Sequence, residues 1–175
     1  VASNGYRVNL WNHSGDLEPL HQIKEKNENV NYLPGVILSG NINPEPDIRM
    51  VVSEANVIFI CVPSAFTEIV MKQAAQYISK QAICVDVSKG LDEKSTRSTA
   101  DILKKILPIN KIVSISGPAV AGQMVAGNFT AMSIASSDSR AVNLVKKVME
   151  NDYLKLVSSR DVVGVEASGS FKNVY

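Results

Sequence analysis

The sequence predicts an α/β fold, a doubly wound and largely parallel sheet flanked by helices. Three observations carry that expectation. Residues 56–62 (NVIFICV), 81–87 (QAICVDV) and 111–116 (KIVSIS) are short, nearly continuous apolar runs, the pattern of strands buried on both faces. Helix-length periodic segments separate them, and strand–helix alternation of this kind builds parallel sheets through crossovers. Each run also stops in turn chemistry: Pro63-Ser64, Ser88-Lys89-Gly90 and Gly117-Pro118. Ligands of open α/β sheets bind in the crevice beyond the carboxyl ends of the strands, so these three ends are expected to share one site. Lys89 places a cation at the end of the middle run.

In chain order, residues 1–5 read as the tail of a helix closed by Asn4-Gly5, where Gly tolerates the left-handed conformation that ends many helices. Residues 6–11 (YRVNLW) alternate as a strand does, and Asn12–Asp16 supply turn and capping residues. A helix is expected over 16–26, with Leu17, Leu20 and Ile23 near 3-4 spacing. Residues 32–46 are a loop-rich crossing with a short strand around 36–42. Helices follow at 47–55 and 66–79, then at 95–106, where Ser95 or Thr96 is the expected cap and Pro108 the stop. After Gly117-Pro118 comes a short small-residue segment, 119–126. A strand at 130–135, a strongly periodic helix at 138–149 and a strand at 153–157 complete the alternation. The strands at 6–11, 56–62, 81–87 and 111–116 are expected to lie in one sheet.

With 175 residues the chain suits one domain with a sizeable core, and a formal net charge of +1 gives no bulk attraction to nucleic acid or anionic membranes. Cys61 and Cys84 sit inside apolar runs without metal-ligand spacing, so they are expected to be buried structural thiols in a reducing compartment, with no metal site. No secretory signal pattern opens the chain, and its longest apolar run, residues 55–62, is far short of the ~20 residues a membrane span needs. A cytoplasmic protein without a membrane span is the expectation. The missing initiator Met, and a pattern that breaks off at Tyr175, suggest a fragment.

The end of the chain is unusual. Residues 161–175 (DVVGVEASGSFKNVY) read as a helix in which Gly164, Ser168 and Lys172 recur along one side. Each glycine inside a helix costs about 1 kcal/mol relative to alanine, so something is expected to approach this helix closely. Lys172 would then project from a narrow surface toward whatever fills that space; the competing reading is an ordinary solvated lysine. His13, at the end of the first predicted strand, stands where a dinucleotide fold meets the adenosine ribose. Many NAD-selective sites carry a carboxylate there, and Asn12-His13 in its place favours NADP or mixed use.

Six segments together resemble the NAD(P)-dependent glycerol-3-phosphate dehydrogenases: Leu10-Trp11, NYLPG at 31–35, CVPSAF at 61–66, SKGLDE at 88–93, SISGPAVA at 114–121 and DVVGVEASGSFKNV at 161–174. They occur in that family's order and spacing over essentially the whole chain. The resemblance implies a Rossmann-like domain over 1–158, with 159–175 the helix leading into a helical substrate domain. It implies hydride transfer between NADP or NAD and dihydroxyacetone phosphate, a small-molecule phosphate substrate, giving sn-glycerol 3-phosphate for glycerophospholipid synthesis. Carried over by motif, Lys172 matches the catalytic lysine. Lys89, Gly117, Ala119 and Asn173 match substrate contacts. Trp11, His13, Phe66, Lys89 and Ala121 match positions lining the cofactor. A cation at Lys172 suits the chemistry, because reducing a ketone develops negative charge on oxygen that must be stabilised and protonated.

Three departures bear on that implication. The family's glycine-rich turn and first strand should precede Val1, and its substrate domain, which would carry any homodimer interface, should follow Tyr175. Ala119 stands where the family usually has a hydroxyl or amide, and Gln123 where it has glutamate. The chain by itself is therefore expected to be inactive. Two other readings compete: a related reductase of the 6-phosphogluconate or 3-hydroxyacid dehydrogenase type, and a nucleotide-binding domain without turnover.

Overall fold

A computed structural model describes residues 1–88 and 98–171. The chain opens on a single 3-10 turn, Ala2–Asn4, which Gly5 closes at a φ of +88°, a left-handed value that favours glycine. The amide of Asn4 reaches across the molecule, its Nδ2 shared among the carbonyls of Val148, Met149 and Glu150 at 3.0, 3.2 and 3.0 Å. Strand β1 (Val8–Leu10) follows, then helix α1 (Glu18–Lys26), which begins later than expected because Asp16 is still in a turn, its N–H on the His13 carbonyl. The crossing yields β2 as Ile42–Pro44, and the expected strand at 36–42 is reduced to one bridge between Glu28 and Ile37.

From here the alternation is regular. Helix α2 (Ile48–Val52) is capped by Asp47, and β3 spans Val57–Ile60. Helix α3 (Ser64–Ala74) runs into a 3-10 turn at Ala75–Tyr77, and β4 is Ile83–Asp86. Helix α4 starts at Thr99 and ends at Ile106, with the Ser98 hydroxyl accepting from the Asp101 N–H at 3.2 Å. Ser98 is thus the cap; Ser95 and Thr96 lie outside the described residues. Strand β5 (Lys111–Ser116), the single-turn α5 (Ala121–Val125), β6 (Thr130–Ala135), α6 (Ser139–Met149, capped by Asp138), β7 (Leu154–Ser159) and α7 (Val162–Phe171) complete the order.

Five strands form one sheet in the order β3-β4-β5-β6-β7, parallel throughout except where β6 runs against β5. Strand β1 does not join it. It pairs in parallel with β2 alone, Val8 opposite Ile42, which corrects the expectation of a single sheet for all four early strands. The reason lies in doubly wound topology, whose order 3-2-1-4-5-6 separates the second strand from the fourth by the first. Among the described residues no strand joins the β1-β2 pair to the edge of the five-stranded sheet at β3.

The period of two along each strand splits the core between the faces. Ile60, Cys84 and Ile112 join Ile48 and Val52 of α2, Met71 of α3 and Leu103 of α4 on one face. Ile83, Val85, Val113 and Ile115 join Ala141, Val142 and Val145 of α6 on the other. Burial pushes the Cys84 thiol up to about 12, so it packs as a small inert hydrophobe. Cys61 departs from expectation: it has passed the end of β3 and is exposed.

Candidate active site

Strands β3, β4 and β5 run the same way in near-flush register, with Ile60 opposite Asp86 and Asp86 opposite Ser114. Their carboxyl ends therefore lie side by side on one rim. The turn after β4 stitches that rim together. Ser88 donates its N–H to Asp86 Oδ1 at 2.9 Å, a local carboxylate turn, and its hydroxyl lies 3.0 Å from the Val62 carbonyl and 3.3 Å from that of Ile60.

The end of β5 is shaped by close approach. A Cβ on Gly117 would lie 2.9 Å from the Cα of Met132 on β6, so only glycine fits there. The Gly117 carbonyl then accepts from the Ala119 N–H at 2.8 Å, turning the chain tightly toward α5.

Helix α7 lies on this same end of β5, and its two glycines have separate causes. Asp161 precedes the helix and accepts from the Gly164 N–H at 2.8 Å, so a side chain at 164 would collide with the capping carboxylate. At 169 a Cβ would come within 2.5 Å of the Ser116 hydroxyl oxygen. One turn earlier, Ser114 donates to Glu166 Oε1 at 2.6 Å. The seated face is thus the one bearing Val165, Glu166 and Gly169, not the stripe through Gly164 and Ser168; Ser168 is exposed and bonds back to the Val165 carbonyl.

A buried carboxyl completes the rim. Asp86 is only 4% exposed. Burial raises its pKa to about 7; the hydrogen bond from the Ser88 N–H pulls it down, and the charge of Glu166 pushes it further up. Among the described residues it forms no ion pair, and no group of three or more His, Cys, Asp or Glu side chains there is placed to hold a metal.

The expected site residues are distributed as follows. Trp11, just past β1, is half-buried against the first core cluster and donates Nε1–H to the Pro46 carbonyl at 3.1 Å. His13 is exposed, and its Nδ1 accepts from the Gly15 N–H at 3.1 Å. Phe66 is 58% exposed in the first turn of α3, directly after the end of β3. Gly117 and Ala119 form the turn beyond β5, and Ala121 is the exposed first residue of α5. Lys89, Lys172 and Asn173 lie outside the described residues. Phe66 thus lies just past the end of β3 and the glycine-tight turn just past the end of β5, on the same rim with β4 between them. Sequence reasoning passed over Asp86, Ser114 and Glu166. Its one available signal was an acid inside an otherwise apolar strand, since carboxylates are almost never fully buried without a partner.

Comparison with known proteins bears on the family and the fold. The family model described as NAD-dependent glycerol-3-phosphate dehydrogenase N-terminus matches residues 1–142. A glycerol-3-phosphate dehydrogenase [NAD(P)+] of Bacillus subtilis (strain 168) is 35% identical over 177 residues, covering 99% of this chain and 51% of that protein. The crystal structure of a glycerol-3-phosphate dehydrogenase from Coxiella burnetii superposes with a TM-score of 0.92 at 25% identity, over 99% of this chain and 52% of that one. A Plasmodium falciparum glycerol-3-phosphate dehydrogenase shares the fold with a TM-score of 0.91 at 24% identity, over 99% of this chain and 50% of its own. The chain spans about half the length of the curated relatives it matches.

Proposed function

Since the chain belongs to the NAD-dependent glycerol-3-phosphate dehydrogenase family, we propose that the whole protein interconverts dihydroxyacetone phosphate and sn-glycerol 3-phosphate with NADP or NAD, this chain supplying the nucleotide-binding part. In that reading, residues 1–158 hold the dinucleotide and 159–175 lead into a substrate domain. One observation carries the reading from the structure: α7 is seated on the carboxyl end of β5 through Ser114–Glu166 and the Gly169–Ser116 approach. The helix that Lys172 and Asn173 directly follow in sequence thereby packs on the rim whose β4 turn Lys89 directly follows.

The assignment of roles follows from the chemistry. Trp11, His13, Phe66, Lys89 and Ala121 line the dinucleotide, whose nicotinamide supplies the hydride when bound. Lys89, Gly117, Ala119 and Asn173 contact the substrate. Lys172 donates a proton to the oxygen on which charge develops as C2 of the ketone is reduced, and its cation stabilises that charge beforehand. Lys89 helps Lys172 give up its proton by like-charge repulsion. At the turn after β5, Ala119 offers backbone groups where a hydroxyl or amide side chain would add a hydrogen bond.

The same proposal places the protein in the cytoplasm, feeding glycerophospholipid synthesis, and assembled as a homodimer through the family's helical substrate domain. No helix among the described residues is long and apolar enough to cross a membrane. The test is oxidation of NADPH and NADH by the full-length protein with dihydroxyacetone phosphate. Turnover that depends on this ketone supports the reading. Turnover only with a 3-hydroxyacid or phosphogluconate substrate would transfer the protein to the related reductases, and cofactor binding without any turnover would make it a sensor.

A further inference from the structure

Strand β7 is the last of the five-stranded sheet, so among the described residues no strand pairs with its outer side. An open edge presents a row of backbone N–H and C=O groups on which another chain can add a strand. Which groups face outward follows from the ladder. Thr130 donates its N–H to the Tyr153 carbonyl, so in this parallel pairing the odd-numbered residues of β7 bond to β6. Leu154, Leu156 and Ser158 turn their backbone groups the other way.

Two of these three are already occupied from within the chain. The Asn151 side chain accepts from the Leu154 N–H at 2.9 Å, and the Asn151 N–H donates to the Leu154 carbonyl at 3.2 Å. At Leu156 the partners are side chains from the end of α6: Glu150 Oε1 accepts the N–H at 2.8 Å, and Lys146 Nζ donates to the carbonyl at 2.5 Å. The two also pair with each other at 3.6 Å. Helix electrostatics does not account for Glu150. It is the C-cap of α6, where a carboxylate faces the negative end of the helix dipole. A lysine one turn ahead of a glutamate is also the weaker order for a helical ion pair. What the pair does achieve is to fill both backbone bonds at the centre of the open edge.

We propose that Lys146 and Glu150 clasp β7 shut against strand addition by a second copy of this chain. The edge is self-complementary. In an antiparallel pair of β7 strands centred on Leu156, each Leu156 would exchange both backbone bonds with the other and Leu154 would face Ser158, an arrangement with two-fold symmetry. Val157, 61% exposed, would gain cover beside Lys155 of the other copy. The clasp forbids this pairing, because its side chains occupy the two Leu156 atoms that the incoming strand needs. None of these residues belongs to the proposed active site, so failure of the dehydrogenase reading would leave the edge as it is.

Sedimentation velocity and amide hydrogen exchange of the full-length protein, each over a roughly hundredfold range of concentration, test this. The sedimenting mass of Lys146→Ala/Glu150→Ala is expected to rise with concentration to about twice that of the wild type under the same conditions. Its Leu156 amide should exchange about tenfold more slowly at the top of the range than at the bottom. Glu150→Gln, whose amide oxygen still accepts from the Leu156 N–H, should track the wild type in both readouts. Adding Ser158→Pro, which removes an outward N–H and leaves the β6 ladder intact, should return the double variant to the wild-type mass. If the double variant does not fold, Glu150→Ala alone, with Lys146 still on the carbonyl, is expected to show the same concentration dependence. A folded variant that keeps the wild-type mass at every concentration would overturn the proposal. So would association that survives Ser158→Pro, or that leaves Leu156 exchange unchanged.

Discussion

Lysine at 172 is asked to do two things in the proposed reaction, to stabilise charge on the substrate oxygen and to protonate it. In the full-length protein Lys172→Ala should therefore lower kcat by roughly 10²–10⁴-fold, the usual worth of positioned acid–base catalysis. Affinity for the dinucleotide should hardly change, because the strand-end residues assigned to hold it are elsewhere in the sequence. Single-turnover hydride transfer with saturating NADPH checks this, and a chemical step within a few-fold of wild type would leave Lys89 as the remaining cation. Residues at this scale were unevenly legible. Lys89 stands out in the sequence because it follows an apolar strand into a turn. Asp86 was hidden inside the same strand, since a buried run has no alternation against which a single acid stands out. Glu166 bonds to Ser114, 52 residues away, and no local pattern encodes that distance.

At the level of elements, the strands of the five-stranded sheet were legible from composition alone, though the ends of β3 and β4 were read too long. Val62 and Val87 continue the hydrophobic run after the ladders have stopped at Ile60 and Asp86. Helix α7 was expected to be approached closely, and it is, but on the face bearing Gly169. A methyl at 169 would meet the Ser116 oxygen, whereas the next nearest atom, Ser116 Cβ, lies at 3.5 Å. Gly169→Ala should accordingly destabilise the wild-type protein by about 1–2 kcal/mol, as overpacking outweighs the gain in helix propensity. In a Ser116→Ala background the same change should be neutral or stabilising. Urea denaturation of the two single variants and the double variant measures that coupling, and strict additivity would mean that α7 does not rest on Ser116.

For the molecule as a whole, the doubly wound class followed from alternation, while the division into two sheets did not. Strand partners are fixed by contacts between distant segments, and the pattern of residues 6–11 says only that they form a strand, not which edge receives it. Cofactor choice belongs to this scale too, because it depends on the end of β1 facing the adenosine side of the proposed site. Asn12 and the exposed His13 present no carboxylate there; Asn12 donates to the Asp16 carbonyl at 2.7 Å, and its carbonyl oxygen accepts the His13 N–H at 3.0 Å. A 2′-phosphate meets no repulsion from these two residues, so the full-length enzyme should use NADPH at least as well as NADH. Steady-state kcat/KM for the two cofactors decides it, and a strong preference for NADH would refute it.

The hook from Asn4 onto the last carbonyls of α6 also has a consequence in time. Its partners lie 144 to 146 residues downstream. A ribosome adding about 5–20 residues per second needs roughly 7–30 s to synthesise that interval. Throughout it the first turn of the chain has no α6 to grip, while β3, β4 and β5 emerge and pair with their neighbours in order. Residues 2–4 are therefore made well before α6 and cannot be fastened to it until it has emerged. A nascent chain stalled before residue 148 should leave the 3-10 turn open to proteases after the centre of the sheet has closed.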